Sequence, residues 1–248
     1  IGRERIVLGN GSNDLLDILA RVFLAPGRSA VYAQYAFAVY PLATISAGGE
    51  PIAVPALNFG HDLDAMRAAI RPDTRLVWMA NPNNPTGTFI PYPVLKAFLQ
   101  SLPKEVVVVL DEAYNEYIPA AEHVDTTPWV NEFPNLVLTR TFSKIYGLAG
   151  LRVGYALASA EVADLMNRIR QPFNCNNLAL AAATAALGDH EFLTRSHDSN
   201  RAGMAQIVDG VKRLGLDHIP SHGNFVCIKP GDAAAVNQKL LKQGVIVR

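Results

Sequence analysis

Short apolar runs alternate with longer stretches of helical spacing along most of the chain. Six runs, residues 30–33, 51–54, 76–79, 106–110, 136–139 and 154–157, are rich in Val, Ile, Leu and Ala, and several contain no polar position, as strands covered on both faces require. Between them, residues 13–24, 63–69, 93–101 and 161–170 repeat apolar positions every three or four residues. Ser12 and Ser159 stand as N-caps before the first and last of these helices. The alternation predicts βα units around a mainly parallel sheet with helices covering it, an α/β fold.

Gln171-Pro172 interrupts the pattern, an alanine-rich helix follows over 178–187, and a polar helix is expected over 194–214. Beyond it the composition changes to a strand at 224–229, a helix at 233–242 and the start of a further strand at 245–248. The chain is thus expected to divide into a large domain, residues 1–187, and part of a small C-terminal α/β domain, residues 188–248. No repeat, low-complexity tract or charge run interrupts either part.

Composition narrows the function classes. Half of the 248 residues are hydrophobic, yet no stretch approaches the roughly 18 apolar residues of a membrane span. Lys plus Arg and Asp plus Glu number 22 each, so no net field favours nucleic acid or an anionic membrane, and a small-molecule partner is expected. Cys175 and Cys227 lie far apart without a CxxC pair, which argues against a disulfide framework or a cysteine zinc site and suits a reducing cytoplasm. His218 and His222 have the spacing of a helical metal pair, but Pro220 between them breaks the helix, so no metal site is expected. The chain begins Ile1-Gly2-Arg3, with neither an initiator Met nor a signal pattern, and reads as the interior of a longer protein. Without an export signal, the sequon Asn10-Gly11-Ser12 is not expected to carry a glycan.

In an open α/β sheet ligands bind beyond the carboxyl ends of the strands, so polar residues that follow apolar runs are the candidates for chemistry. Three segments qualify: Asn81-Pro82-Asn83-Asn84-Pro85-Thr86-Gly87, Asp111-Glu112-Ala113-Tyr114, and Thr141-Phe142-Ser143-Lys144 leading to Arg152. Asp111 after four valines and a leucine could be the Mg²⁺ ligand of a nucleotidase, but no GxxxxGK[ST] loop accompanies it. Gly9-Asn10-Gly11 starts like a dinucleotide fingerprint and then places Asp14 where its last glycine belongs. Together the three segments instead offer an amine, an acid and a set of hydrogen-bond donors, the parts needed around a pyridoxal 5′-phosphate cofactor.

In order and spacing these segments resemble the fold type I, pyridoxal-phosphate-dependent aminotransferases. Gly-Leu-Ala-Gly-Leu-Arg-Val-Gly at 147–154 and Gly-Asn-Gly-Ser-Asn-Asp at 9–14 are most similar to the histidinol-phosphate aminotransferases among them. The resemblance spans Gly9 to Arg248. It implies the fold type I architecture, with a mainly parallel sheet of the seven-stranded type, and exchange of an amino group between histidinol phosphate and 2-oxoglutarate in histidine biosynthesis. It also implies a homodimer whose sites lie at the subunit interface, with an N-terminal arm and the end of the small domain lying outside this chain. An aminotransferase for aromatic or other amino acids shares the same cofactor shell, and a catalytically silent pyridoxal-phosphate-binding module is the alternative from another class.

By the same resemblance, Lys144 forms the Schiff base with the cofactor and serves as general base. Asp111 pairs with the pyridine nitrogen, and Asn84 and Tyr114 donate to the phenolate oxygen. Ser12 and Asn13 at a helix N-terminus, the Thr141 and Ser143 hydroxyls and the Arg152 guanidinium hold the phosphate. Phe37 covers the ring face, a place that Tyr35 or Tyr40 could take instead. Arg248 resembles an arginine directed at the substrate's acidic group, or else is a solvated terminus. Ile145 departs from the pattern, since many relatives carry a small residue after the lysine.

Overall fold

A computed structural model describes residues 1–247. In chain order it contains β1 (Ile6–Gly9), α1 (Ser12–Phe23), β2 (Ser29–Ala33), α2 (Val39–Ser46), β3 (Glu50–Val54), α3 (Leu63–Ala68), β4 (Thr74–Ala80), α4 (Tyr92–Ser101), β5 (Val107–Asp111), α5 (Trp129–Glu132), β6 (Leu136–Thr141), β7 (Gly154–Leu157), α6 (Ala160–Ile169), α7 (Asn177–Leu187), α8 (His190–Arg213), β8 (Asp217–Ile219), β9 (Cys227–Lys229) and α9 (Ala233–Lys242). The first seven strands form one sheet in the order β1-β7-β6-β5-β4-β2-β3, and β8 pairs with β9 in a second. Strands β3, β2, β4, β5 and β6 run parallel; β7 is antiparallel to both its neighbours.

Side-chain alternation along the central strands builds two cores. Leu76, Trp78 and Ala80 of β4, with Val107 and Val109 of β5, face Leu15, Leu16 and Leu19 of α1, Tyr40 of α2 and Met166 of α6. Val77 and Met79, with Val108 and Leu110, face Met66 of α3, Leu95 and Phe98 of α4 and Trp129 of α5. Because both faces are covered, these strands carry apolar residues at every position and could be found as unbroken runs.

The six strands expected between residues 30 and 157 are all present. Other elements differ or were not foreseen, the short α5 and β8 among them. Ser12 is the first helical residue rather than the cap: Gly11, with φ of 77°, occupies the N-cap position, whereas Ser159 does cap α6 by accepting from Val162 N–H at 3.3 Å. Strand β1 has only four residues at the sheet edge, too few for a periodic signal. Helix α2 contains Pro41 and β-branched residues that disfavour a helix. Pro41 sits in the first turn, where a missing N–H breaks no intrahelical bond. The strand expected at 224–229 shortens to Cys227–Lys229, because the residues before it leave the ladder with β8 and turn toward the sheet. Residues 245–247 form no strand, and Arg248 lies outside the described residues.

Candidate active site

The chain leaves β2 toward β3 on one side and leaves β4 toward β5 on the other. Parallel strands that diverge in this way open a crevice beyond their carboxyl ends. A cavity of about 620 Å³ lies there. Ser12, Asn13, Phe37, Asn84, Asp111, Tyr114, Thr141, Ser143, Lys144 and Arg152 all line it, so ten of the eleven candidates converge on one site. Arg248, the eleventh, lies outside the described residues. Ile145 is buried and turned away from the cavity lining.

Each segment reaches the cavity for a local reason. In the loop after β4 two buried asparagines act as braces: Asn81 exchanges hydrogen bonds with the backbone of Ile90, and Asn83 Nδ2 donates to Tyr35 O at 2.7 Å. Asn84 is left facing the cavity, where its Nδ2 donates to the Tyr114 hydroxyl at 3.1 Å. Beyond β6, Ser143 N–H donates to Thr141 Oγ1 at 3.1 Å and Gly147 N–H to Lys144 O at 3.0 Å, closing a turn that presents Lys144. The Lys144 ammonium lies 5.1 Å from the centre of the Tyr114 ring, within reach of its negative face.

The opposite wall is an anion cradle. At the N-terminus of α1, unpaired backbone amides and the helix dipole favour negative charge. Arg152, in a left-handed conformation with φ of 57°, donates to Ser143 Oγ at 3.3 Å and to Ala149 O at 3.0 Å, which aims its guanidinium at that terminus. Only glycine fits between: a Cβ on Gly11 would collide with the Arg152 guanidinium, and one on Gly154 would lie 2.6 Å from Ser12 N.

Asp111 closes the third side at the end of β5, 6% exposed. Its Oδ2 accepts from the Tyr40 hydroxyl at 3.1 Å, while its Oδ1 is buried without a hydrogen-bond partner. Burial pushes its pKa up to about 6, against the opposing pull of the Tyr40 hydrogen bond. A buried carboxylate oxygen left unsatisfied in a cavity wall is costly unless a donor fills the cavity. Protonated heterocyclic nitrogen is such a donor.

Tyr40 is expected from the sequence only as an alternative to Phe37 over the ring face. The structure separates them: Phe37 lines the cavity, and Tyr40 lies behind it, edge-on at 5.9 Å between ring centres. Phe37 precedes α2 and Tyr40 lies in its first turn, so nothing in the local spacing separates their roles. Asn10, Asp14 and Asp17 also line the rim and were missed, since nothing distinguishes them from solvated helix residues. Among the described residues no group of three or more His, Cys, Asp or Glu could hold a metal ion, and no helix is long and apolar enough to cross a membrane.

Known proteins place this geometry in context. The model of the aminotransferase class I and II family matches residues 1–248. The chain is 74% identical over 248 residues to histidinol-phosphate aminotransferase 1 of Dechloromonas aromatica, covering all of this chain and 68% of that relative. It is 62% identical to histidinol-phosphate aminotransferase 1 of Thiobacillus denitrificans, of which it covers 65%. The chain therefore spans about two thirds of the length of these curated relatives. Among solved structures, histidinol-phosphate aminotransferase of Sinorhizobium meliloti in complex with pyridoxal 5′-phosphate superposes with a TM-score of 0.94 at 31% identity, covering 99% of this chain and 68% of that one. Aspartate aminotransferase of Thermus thermophilus with maleate gives 0.89 at 26%, covering 100% and 68%. With its seven-stranded sheet and a strand-end cavity suited to pyridoxal 5′-phosphate, the chain belongs to the aminotransferase class I and II family.

Proposed function

We propose that the chain transfers an amino group between histidinol phosphate and 2-oxoglutarate, the histidine-biosynthetic reaction, with pyridoxal 5′-phosphate in the strand-end cavity. The observation that carries this reading is the buried, unpartnered Asp111 Oδ1 in the same cavity as the anion cradle and Lys144, in a chain 74% identical to a histidinol-phosphate aminotransferase. The cradle fits a phosphate, Asp111 fits a protonated ring nitrogen, and Lys144 brings an amine to the same cavity.

When bound, pyridoxal 5′-phosphate supplies an aldehyde that takes up the amino group and a cationic ring that withdraws electrons from the substrate Cα. Asp111 holds the ring nitrogen protonated, and this pairing offsets the burial that otherwise keeps its own carboxyl protonated up to about pH 6. Asn84 and Tyr114 donate to the phenolate oxygen. Ser12, Asn13, Thr141, Ser143 and Arg152 bind the phosphate, and Phe37 covers the ring. Lys144 would hold the cofactor through its amine and would serve as the base that moves the proton at the substrate Cα. Arg248 is assigned to the substrate's acidic group.

The two separate sheets support a large domain, 1–187, and part of a small one, 188–248. Phe173, 98% exposed, together with the exposed Leu178 and Leu187, supports a homodimer. The histidine-biosynthetic reading supports a cytoplasmic location. The superposition on an aspartate aminotransferase favours a second reading, a related aminotransferase for aromatic or other amino acids.

Mixing the pyridoxal-phosphate form with histidinol phosphate is expected to convert its visible spectrum to that of pyridoxamine phosphate, and 2-oxoglutarate is expected to reverse the change. Conversion by aromatic amino acids alone would select the second reading. Binding without any conversion would indicate a silent module. Borohydride should fix the cofactor to the wild type and not to Lys144→Ala; fixation to the variant would remove Lys144 from its place.

A further inference from the structure

The two groups assigned to the phenolate oxygen, Asn84 and Tyr114, are gripped from behind by one segment. Strands β8 and β9 pair only through Ile219↔Cys227, His218↔Ile228 and Asp217↔Lys229. The chain joining them, residues 220–226, leaves that ladder and lies against the loop that follows β4. His222 N–H donates to Gly87 O at 2.9 Å, and the Cys227 thiol donates to Pro85 O at 2.9 Å. Gly87 has φ of 77°, and a Cβ on it would overlap the Ser221 side chain and stand 2.9 Å from Ser221 Cα, so the segment packs directly on the glycine. Both grips fall within three residues of Asn84.

From the same segment Phe225 reaches Tyr114. Their ring centres are 5.0 Å apart and their planes inclined at 81°, an edge-to-face contact of the favoured kind. Tyr114 is 5% exposed, and its hydroxyl accepts from Asn84 Nδ2. A hydroxyl that accepts one hydrogen bond becomes a stronger donor in the next. Phe225 thus stands one contact away from a polarised donor in the cavity, yet does not line the cavity itself.

We propose that Phe225 is a positioning residue: its ring fixes Tyr114, and through the Tyr114 hydroxyl it sets the pH at which the bound cofactor exchanges its proton. The inference rests on the reading above that Tyr114 faces the phenolate oxygen. Its physical basis is simple. A donor to that oxygen favours the deprotonated, negatively charged form, so a displaced donor raises the pH of half-protonation. Loss of the ring leaves the His222 and Cys227 grips intact, and the segment itself stays in place.

The test is a pH titration of the visible absorption of the protein reconstituted with pyridoxal 5′-phosphate. Phe225→Leu should raise the midpoint by about half a pH unit or more, Phe225→Tyr should keep it near the wild-type value, and in a Tyr114→Phe background Phe225→Leu should add no further shift. Circular dichroism checks folding, and Phe225→Met replaces Phe225→Leu if the latter does not fold. An unmoved midpoint in Phe225→Leu beside a raised one in Tyr114→Phe overturns the inference and leaves the proposed function standing. An equal shift with and without the Tyr114 hydroxyl also overturns it, because Phe225 then acts by another route. If Tyr114→Phe itself moves nothing, the assignment of Tyr114 falls and the inference falls with it.

Discussion

The Tyr40 hydroxyl donates to Asp111 Oδ2 across 3.1 Å. The ring that carries it lies flat on Trp78, with centres 5.5 Å apart and planes 3° from parallel. Trp78 Nε1–H in turn donates to Thr44 Oγ1 at 3.0 Å, and the Thr44 hydroxyl donates to Tyr40 O at 2.8 Å. One carboxylate oxygen of Asp111 is therefore held by a fixed aromatic stack inside the core, and the other is left for the cavity.

Tyr40→Phe removes the one hydrogen bond that the structure gives this carboxylate from a side chain of α2. The bond favours the ionised form, so its loss raises the Asp111 pKa further above about 6. Cofactor affinity is expected to fall roughly fivefold near pH 6, the effect of about 1 kcal/mol, and by less at pH 8. Fluorescence titration of the cofactor-free protein with pyridoxal 5′-phosphate at the two pH values measures this.

Asp111→Asn separates stability from function. Burial raises the folded carboxyl from its ordinary 3.8 to about 6, so between those values the unfolded chain is ionised while the folded one keeps its proton. This contribution to stability is present below about pH 4 and is lost as pH rises to about 6, on the order of 2–3 kcal/mol. Asparagine retains an acceptor for Tyr40 and has no charge to bury. The variant is expected to raise Tm of the cofactor-free protein at pH 8 by several degrees, with little change at pH 4, while the rise in Tm on adding cofactor shrinks. Scanning calorimetry at the two pH values decides.

Gly11→Ala tests the anion cradle. The substitution forces an alanine into φ of 77° and sets its methyl group against the Arg152 guanidinium. Affinity for pyridoxal 5′-phosphate is expected to fall by about tenfold or more, the effect of ~1.4 kcal/mol. Equilibrium dialysis should show affinity for inorganic phosphate falling with it, whereas a loss confined to the cofactor would count against a phosphate role.

Glu112 and Arg140 form a buried ion pair under the site floor. Glu112 Oε2 accepts from Arg140 Nε at 2.8 Å, with the side chains 1% and 13% exposed. Thr126 Oγ1 donates to the other Glu112 oxygen at 2.5 Å and accepts from Arg140 at 3.1 Å. Glu112→Leu strips the arginine of its buried partner, leaves the exposed Asp125 carboxylate 3.8 Å away, and is expected to destabilise by about 3 kcal/mol. Adding Arg140→Met should recover most of that loss in denaturant unfolding, since the removed charge no longer needs a partner.

The same pair illustrates what one sequence discloses. Asp111 and Glu112 are neighbours with the same charge, and the text alone drew attention to Asp111 through its resemblance to known motifs. Strand alternation sends the two to opposite faces: Asp111 into the cavity, Glu112 beneath it to Arg140. The long, doubly covered strands were legible because burial on both faces leaves no polar position to interrupt them. β1 and α2 were not legible, one being too short and the other carrying helix-disfavouring residues that only tertiary packing overrides.

The class of fold and the chemistry-bearing segments are legible in the chain, because apolar runs and strand-end polar residues are local properties. Which of those residues share a cavity and which brace it from outside depends on how the strands are ordered. The partnership of Tyr40 with Asp111 spans 71 positions, and the contact of Phe225 with Tyr114 joins one sheet to the loops of another. Such contacts leave no mark in local spacing, since they depend on strand order and on where the chain turns back.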